Sequence, residues 1–348
     1  MNAKSSLVVL NHLTRDTFRQ ARASGVCWMM LAITAICFVL CLSVSVSEDV
    51  SLTALDEPVL FLPPPVPVAV ASRLREQPGA HLDTDPAAAH RDGIETISGR
   101  MSLAFGAISF PVFRTRSDAV FFLELVLAWG VAGTFGVLLA LVWTAGFVPS
   151  FLEPSSASVL LAKPVARWQL LFGKYLGVLA FVAFQVVLFV LSTWLALGLR
   201  TNVWNITYWR CIPLLLLQFA TYYSFSILIA VITRSTVASV FGSVLFWLLG
   251  WAINYGYVMA RGVLETQHVP YGTLALAEVA YWIFPKPIDA GLIVFNTLGA
   301  LGDFDKPAVF RLLESGSSFS PCASIASSLL LTGVLLAISV HEFNATDY

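Results

Sequence analysis

Residues 175–199 read YLGVLAFVAFQVVLFVLSTWLALGL, and none of these 25 residues carries a charge. A helix needs about 20 predominantly apolar residues to cross the roughly 30 Å of hydrocarbon in a bilayer. This stretch is therefore long enough to span a membrane. The whole chain agrees with that interpretation, because 57% of its residues are hydrophobic and only 12% are charged, which lies outside the usual range of soluble domains.

The same criterion predicts an all-α integral membrane protein with six transmembrane helices. They are placed at residues 23–47, 119–151, 175–199, 211–233, 235–260 and 322–340. Two long segments, 48–118 and 261–320, fall on one side of the membrane, and a connector of residues 152–174 falls on the other.

Residues 1–22 predict an amphipathic helix that lies on the membrane surface. Its apolar face consists of Leu10, Leu13, Thr17 and Ala21, and its basic face of Arg15, Arg19 and Arg22. Arginines in such a helix face anionic lipid headgroups. An ordinary solvated helix is the alternative. A cleaved signal peptide is disfavoured, because the apolar stretch that follows is longer than the usual signal length of about 7 to 15 residues.

Lysines and arginines are concentrated in short segments at the N-terminus and in the 152–174 connector. Basic residues near membrane ends favour the cytoplasmic side, and long loops are weak indicators. Both termini and the connector are therefore predicted to be cytoplasmic.

The two long segments are predicted to carry small extracytoplasmic structures. Five prolines between positions 58 and 67 exclude regular hydrogen bonding there, whereas residues 101–105 and 108–113 flank Gly106-Ala107 as in a hairpin. In the second segment, residues 274–284 and 290–302 predict short helices, since thirteen helical residues cover only about 20 Å.

Several polar residues fall inside the predicted spans. Glu124 is either a functional acid or a side chain that reaches toward the outer surface, and its place near the end of the span favours the second. The remaining positions are expected to form hydrogen bonds between helices. They are Gln185, Gln218, Tyr222, Tyr223 and Asn254.

The connector begins with Glu153 and contains a short predicted helix at residues 156–162. Lys163-Pro164 ends that helix, because the residue before a proline is disfavoured in the helical region. Arg167 and Lys174 then mark the membrane boundary. A plain loop whose charges only set topology is the alternative.

The connector and its flanks resemble the permease subunits of type-2 ABC exporters, close to the permease of nitrous-oxide-reductase maturation and the gliding-motility permease. The residues that carry the resemblance are Thr144-Ala-Gly-Phe-Val-Pro149, Glu153, Leu160-Leu-Ala-Lys-Pro-Val-Ala-Arg167 and Leu171-Phe-Gly-Lys-Tyr-Leu-Gly177. The resemblance implies a coupling helix that docks on a cytoplasmic ATPase, with Glu153, Lys163, Pro164 and Arg167 as the coupling residues. The chain departs from the pattern at Pro154-Ser-Ser-Ala-Ser158, where relatives usually have Gly-Thr.

The resemblance further implies a homodimer in a bacterial inner membrane, with two copies of an ABC ATPase. The chain has no phosphate-binding loop, because Gly173-Lys174 lacks the upstream glycine and the following Ser or Thr. ATP and Mg are therefore expected on the partner, and no cofactor on this chain.

No enzyme motif is found. His341-Glu342 lacks the second histidine of a zinc protease, and a serine elbow is missing. The cluster His81, Asp83, Asp85, His90 and Asp92 has no regular spacing, so no metal site is predicted. A net charge of −1 argues against nucleic-acid binding.

The predicted function is that of a permease subunit of an exporter, without catalytic residues and with an unknown substrate. The alternatives are a membrane scaffold that uses the 48–118 loop, and an intramembrane hydrolase.

Overall fold

A computed structural model of the chain describes residues 3–52, 95–113, 116–151, 166–264, 271–298, 306–315 and 319–345. The helices are α1 (Ala3–Ala23), α2 (Val26–Leu42), α3 (Arg116–Leu125), a π-helix (Val126–Gly136), α4 (Val137–Thr144), α5 (Phe147–Phe151), α6 (Arg167–Thr201), a 3-10 helix (Ile206–Arg210), α7 (Cys211–Thr233), α8 (Thr236–Leu264), α9 (Tyr271–Ile283), α10 (Pro287–Leu298), α11 (Ala308–Ser315) and α12 (Pro321–Ala345). The strands are β1 (Ser45–Leu52), β2 (Glu95–Leu103) and β3 (Ile108–Phe113).

Five helical segments in the described residues are long and apolar enough to cross a membrane. They are Ala119–Phe151, Arg167–Thr201, Ile206–Thr233, Thr236–Arg261 and Pro321–Ala345. A sixth crossing is obtained if α2 is counted together with the part of α1 from which it bends. The predicted all-α membrane fold is confirmed.

Helix α2 is shorter than the charge-free stretch 23–47. It has 17 residues and ends at Leu42, since residues from Ser45 onward pair with β2. Seventeen residues cover about 25 Å, which is the lower limit for a crossing. The charge-free stretch therefore overestimates the length of this span, because strand pairing ends the helix early.

Helix α1 turns sharply away from α2. The two axes are bent by 71° around Gly25, whose φ of 78° is accessible to glycine at little cost. If α2 crosses the bilayer, α1 lies close to the membrane plane. Leu13, Thr17 and Ala21 are buried, whereas the arginines at 15, 19 and 22 are not, as an amphipathic surface helix requires.

The second span (Ala119–Phe151) contains eleven residues of π-helix. The backbone N–H of Val137 donates to Ala132 O, five residues back, and the Thr134 hydroxyl donates to Trp129 O at 2.9 Å. A π-helix is wider than an α-helix, is rare at any length, and is frequent at functional sites.

The three strands form an antiparallel sheet in the order β1-β2-β3. The predicted hairpin is present, with Leu103 opposite Ile108 and a bulge at Gly99/Arg100. The sheet is fastened to the helices, because Ala104 N donates to Ser43 Oγ at 2.9 Å and Arg200 Nε donates to Val44 O at 2.8 Å. It therefore lies where α2 and α6 end.

The short helices α9, α10 and α11 lie in the segment 261–320, where short helices are predicted. Helix α10 has 12 residues and covers about 18 Å, too little to cross a bilayer. The buried apolar residues form two clusters. One includes Met101, Tyr208 and Phe295 near the sheet, and the other includes Leu13 and Phe147 near the connector.

Candidate functional site

Three of the four predicted coupling residues, Glu153, Lys163 and Pro164, lie outside the described residues. Arg167 is the first residue of α6, and the extended backbone of Ala166 precedes it (φ −65°, ψ 136°). The sequence predicts that this span starts at Tyr175. The structure begins the helix eight residues earlier, so Arg167 and Lys174 belong to the helix itself.

Helix α1 is seated on two glycines of α6. A Cβ on Gly173 would lie 2.5 Å from Leu13 Cδ1, and one on Gly177 would lie 2.7 Å from Thr17 Oγ1. At Gly173 the Cβ would meet the end of the Leu13 side chain, whereas at Gly177 it would also lie 3.4 Å from the backbone atom Leu13 O, so the helices approach most closely at Gly177. Glycines four residues apart commonly let two helices pack closely in membranes. The Gly173 to Gly177 spacing thus has a structural role, as the seat for α1.

Lys174 lies between these glycines and is almost completely buried, with 2% of its side chain exposed. Its ammonium donates to Gln20 Oε1 at 2.7 Å and reaches Asp16 Oδ2 at 3.4 Å. It also lies 5.8 Å from the centre of the Phe151 ring. A buried ammonium is costly unless it is paired. The lysine expected at the membrane boundary is instead held by α1.

Gln20 connects both flanks of the connector. Its Oε1 accepts from Lys174 on α6, and its Nε2 donates to Ser150 Oγ on α5 at 2.9 Å. An ammonium can only donate, so the orientation of the Gln20 amide is fixed. We call Asp16, Gln20, Ser150 and Lys174 the Gln20 cluster. It joins the last turn before residues 152–165 to the first turns after them.

A second polar group, which we call the Asp289 network, lies among α8, α9, α10 and α12. Its central residue, Asp289, is fully buried and accepts three hydrogen bonds. The donors are Asn254 Nδ2 at 3.2 Å, the Tyr281 hydroxyl at 2.5 Å and Ser324 Oγ at 2.5 Å. Asn254 also accepts from Ile288 N at 2.7 Å. A buried carboxylate with several donors is well satisfied, so the network ties the short helices to two spans.

Lys286 adjoins this network without contacting the carboxylate directly. Its ammonium donates to Ser327 Oγ at 2.8 Å and lies 3.7 Å from the centre of the Trp282 ring. Burial lowers the pKa of Lys286 to about 8, although the charge of Asp289 acts in the opposite direction. Burial also raises the pKa of Tyr281, and the neighbouring Asp289 adds to this effect.

The prediction that Glu124 reaches the outer surface is wrong. The residue is 1% exposed, and Asn205 Nδ2 donates to its Oε2 at 2.6 Å. Asn205 follows α6 and is 81 positions away in the chain. A specific hydrogen bond replaces the water that the carboxylate would otherwise seek.

The predicted hydrogen bonds between spans are partly found. Gln218 Nε2 donates to Gly133 O at 2.9 Å, and Asn254 belongs to the Asp289 network. Gln185 Nε2 donates to Cys27 Sγ at 3.7 Å. The hydroxyls of Tyr222 and Tyr223 have no hydrogen-bond partner among the described residues. For the tyrosines, the prediction is therefore wrong in that part of the chain.

No sequence pattern indicates the Gln20 cluster or Asp289. Gln20 lies among arginines in a helix whose sequence shows only an apolar and a basic face, and Asp289 follows Pro285-Lys-Pro, which predicts a break between helices. Positions 81–92, for which no metal site is predicted, lie outside the described residues. Within the ranges that are described, no group of three or more acidic, cysteine or histidine side chains could hold a metal ion.

The model of one protein family, described as ABC-2 family transporter protein, matches residues 15–348. The match thus includes the Gln20 cluster, the connector and the Asp289 network. No curated protein matches the chain.

Proposed function

Because the chain belongs to the ABC-2 transporter family, and so is a transmembrane subunit of an ABC transporter, we propose that it is the permease of an exporter. In this proposal a separate ATPase docks on residues 152–165 and drives substrate movement through the spans. The family implies such an ATPase partner. Glu153, Lys163, Pro164 and Arg167 are proposed as the residues that contact it.

The observation that carries the proposal is the hydrogen-bonded path from Ser150 through Gln20 to Lys174. A connector that only joins two spans has no need of a buried ammonium and an amide across its base. Here both of its flanks are fastened to α1, and α1 continues into α2 around Gly25. A displacement of the connector would therefore reach three membrane segments together.

The charges support a cytoplasmic position for the connector and for both termini. Arg15, Arg19 and Arg22 lie on the accessible side of α1, which lies beside the start of α6 and hence beside the connector. Basic residues near span ends favour the cytoplasmic face. We propose a bacterial inner-membrane location, with lipid headgroups next to α1, and assign ATP and Mg to the ATPase.

We also propose that the working unit is a homodimer with two ATPase chains. Helix α8 supports this, since residues such as Val237 and Phe241 expose 65% and 72% of their surface and provide an apolar face for a second copy or for lipid. We place the chain near the permeases of nitrous-oxide-reductase maturation and gliding motility, on the strength of the connector residues that carry the resemblance.

The test is to purify the full chain in mild detergent and to ask whether a Walker-A ATPase comes with it. Native mass spectrometry is expected to give two permease and two ATPase chains. In that complex Glu153→Arg should lower ATP turnover to the level of the isolated ATPase, because the acid that meets the ATPase is reversed. The variant should still be found in the membrane at normal levels.

Glu278→Arg is the matched control, since it makes the same charge change on α9. Glu278 lies 3.5 Å from Arg261 in a partly exposed ion pair, and such pairs contribute less than about 1 kcal/mol. ATP turnover should therefore stay normal. Recovery of no ATPase with the unaltered chain, or normal turnover in Glu153→Arg, would contradict the proposal.

A further inference from the structure

An apolar cavity of about 110 Å³, partly open at the surface of the bundle, lies between α2, the second span, α6 and α7. Its walls are almost entirely apolar and include Ile33, Val131, Trp143 and Phe219. Phe135, which is 64% exposed, stands at its rim. An apolar cavity of about 150 Å³ in another protein stays dry and binds benzene. This one is therefore large enough for a small ring or a few methylene groups.

The π-helix forms one wall of the cavity. Val131, Ala132, Phe135 and Gly136 all belong to it and all line the space. Two of these four, Ala132 and Gly136, have no side chain beyond Cβ. The cavity thus lies against an unusual backbone, in keeping with the frequent occurrence of π-helices at functional sites.

One polar group in the lining lacks a partner. Gln185 is near the middle of α6 and is 4% exposed, and its Oε1 has no hydrogen-bond donor in the described part of the chain. The nearby Thr34 hydroxyl cannot serve, because it donates to Met30 O in its own helix at 3.0 Å. A buried amide oxygen without a donor is destabilising in an apolar setting. A ligand that brings a donor would remove that cost.

We propose that this cavity binds an apolar ligand, the size of a ring or a short chain, that carries one hydrogen-bond donor. The apolar part fills the space beside the π-helix, and the donor reaches Gln185 Oε1. A hydroxyl group has the right chemistry, whether it belongs to a bilayer lipid or to a small solute that enters from the bilayer. The site does not depend on the proposed role of the connector.

The test uses ¹⁹F NMR of the full chain in phosphatidylcholine nanodiscs with three small probes. 4-Fluorophenol carries a donor, 4-fluoroanisole only an acceptor, and 4-fluorotoluene neither. A saturable bound resonance is expected for 4-fluorophenol, with an affinity at least about tenfold above those of the other two, because only it can pair with the buried oxygen. Equal affinities, or no saturable binding of any probe, would overturn the proposal.

Two variants locate the site. Gln185→Leu should reduce the affinity for 4-fluorophenol to that for 4-fluorotoluene, and Ala132→Leu should abolish binding of both by filling the cavity. A preference for the phenol that persists in Gln185→Leu would refute the assignment. If a variant does not fold, the comparison of 4-fluorophenol with 4-fluoroanisole in the unaltered chain still tests whether the site requires a hydrogen-bond donor.

A last arm distinguishes the source of the ligand. Diacylglycerol, which has a free hydroxyl on a lipid, is added to the nanodiscs while 4-fluorophenol is bound. Displacement supports the proposal with a bilayer lipid as the ligand. Retention of 4-fluorophenol supports the proposal with a small solute as the ligand.

Discussion

Replacing Gln20 with leucine should destabilise the protein more than removing the lysine that Gln20 binds. In Gln20→Leu the buried Lys174 ammonium loses the acceptor at 2.7 Å. A hydrogen bond to a charged group contributes about 1.5–3 kcal/mol. The remaining acidic contact, Asp16, is 65% exposed and 3.4 Å away, so solvent screens it and it contributes less than about 1 kcal/mol. The expected loss of unfolding free energy is about 2–3 kcal/mol.

Lys174→Met should reduce the free energy of unfolding less than Gln20→Leu does. Methionine has a similar length and no charge, so the cost of burying an ammonium disappears together with its hydrogen bond. Gln20 Oε1 loses a donor but is only partly buried, and Asp16 remains in contact with solvent. We expect a loss of about 1 kcal/mol or less. In the double variant, Gln20→Leu should add little to Lys174→Met.

The assay is a double-mutant cycle on the full chain in detergent micelles, with unfolding followed by denaturant titration. The cycle should give an interaction energy of about 1.5–3 kcal/mol between Gln20 and Lys174. Asp16→Asn is the control and should change stability by less than about 1 kcal/mol. An interaction energy below about 0.5 kcal/mol, the usual error of additivity, would show that the hydrogen bond is not made.

The same variants separate stability from coupling. Both single substitutions interrupt the path between Ser150 and Lys174, although only Gln20→Leu should weaken the fold strongly. Stimulation of the partner ATPase is therefore expected to fall in both. Normal stimulation in Lys174→Met would mean that the path has a structural role only.

Two further outcomes are expected. Burial lowers the pKa of Lys286 to about 8 from an ordinary value of about 10.4, so between these pH values the unfolded chain binds more protons than the folded chain. The free energy of unfolding should therefore rise as the pH goes from about 8 to 10.4, and it should stay at its lower level below about 8. Lys286→Met should flatten this dependence in denaturant titrations at several pH values, and an unchanged slope would contradict the assignment. Gly177→Leu should release α1 and cost about 1–3 kcal/mol by overpacking, seen as faster hydrogen exchange at residues 11–23. Gly256→Leu, on an open face of α8 where a Cβ would have no atom within 4 Å, should leave that exchange unchanged, and equal effects of the two substitutions would argue against the glycine seat.

The spans can be predicted from the sequence because the criterion is physical and local. A run without charges is what a bilayer selects, and α6 needs nothing else to be recognised. The surface helix is predictable for a similar reason, since Leu13, Thr17 and Ala21 recur at helical spacing. What a local criterion misses is competition from another element. The end of α2 at Leu42 depends on pairing between β1 and β2, whose partners are some fifty positions apart.

The polar sites cannot be predicted because their partners are distant in the chain. Glu124 is expected to reach water because it lies near the end of its predicted span, yet Asn205, 81 positions away, donates a hydrogen bond to it. Asp289 depends in the same way on Asn254 and Ser324. The π-helix has no sequence pattern that separates it from an α-helix, because its residues are almost all apolar. The cavity beside it has no sequence signal either.

The second span contains residues of three sites: the Glu124 contact, the cavity beside the π-helix and the Gln20 cluster. One end of this span is held where Asn205 donates to Glu124 at 2.6 Å, and the other end where Gln20 donates to Ser150 at 2.9 Å. Between these two points lies the π-helix, which forms a wall of the cavity. The π-helix is also held from the side, because Gln218 Nε2 of α7 donates to Gly133 O at 2.9 Å. If a displacement of Ser150 changes the π-helix, then by reciprocity a ligand that stabilises one form of that helix favours the corresponding position of the connector.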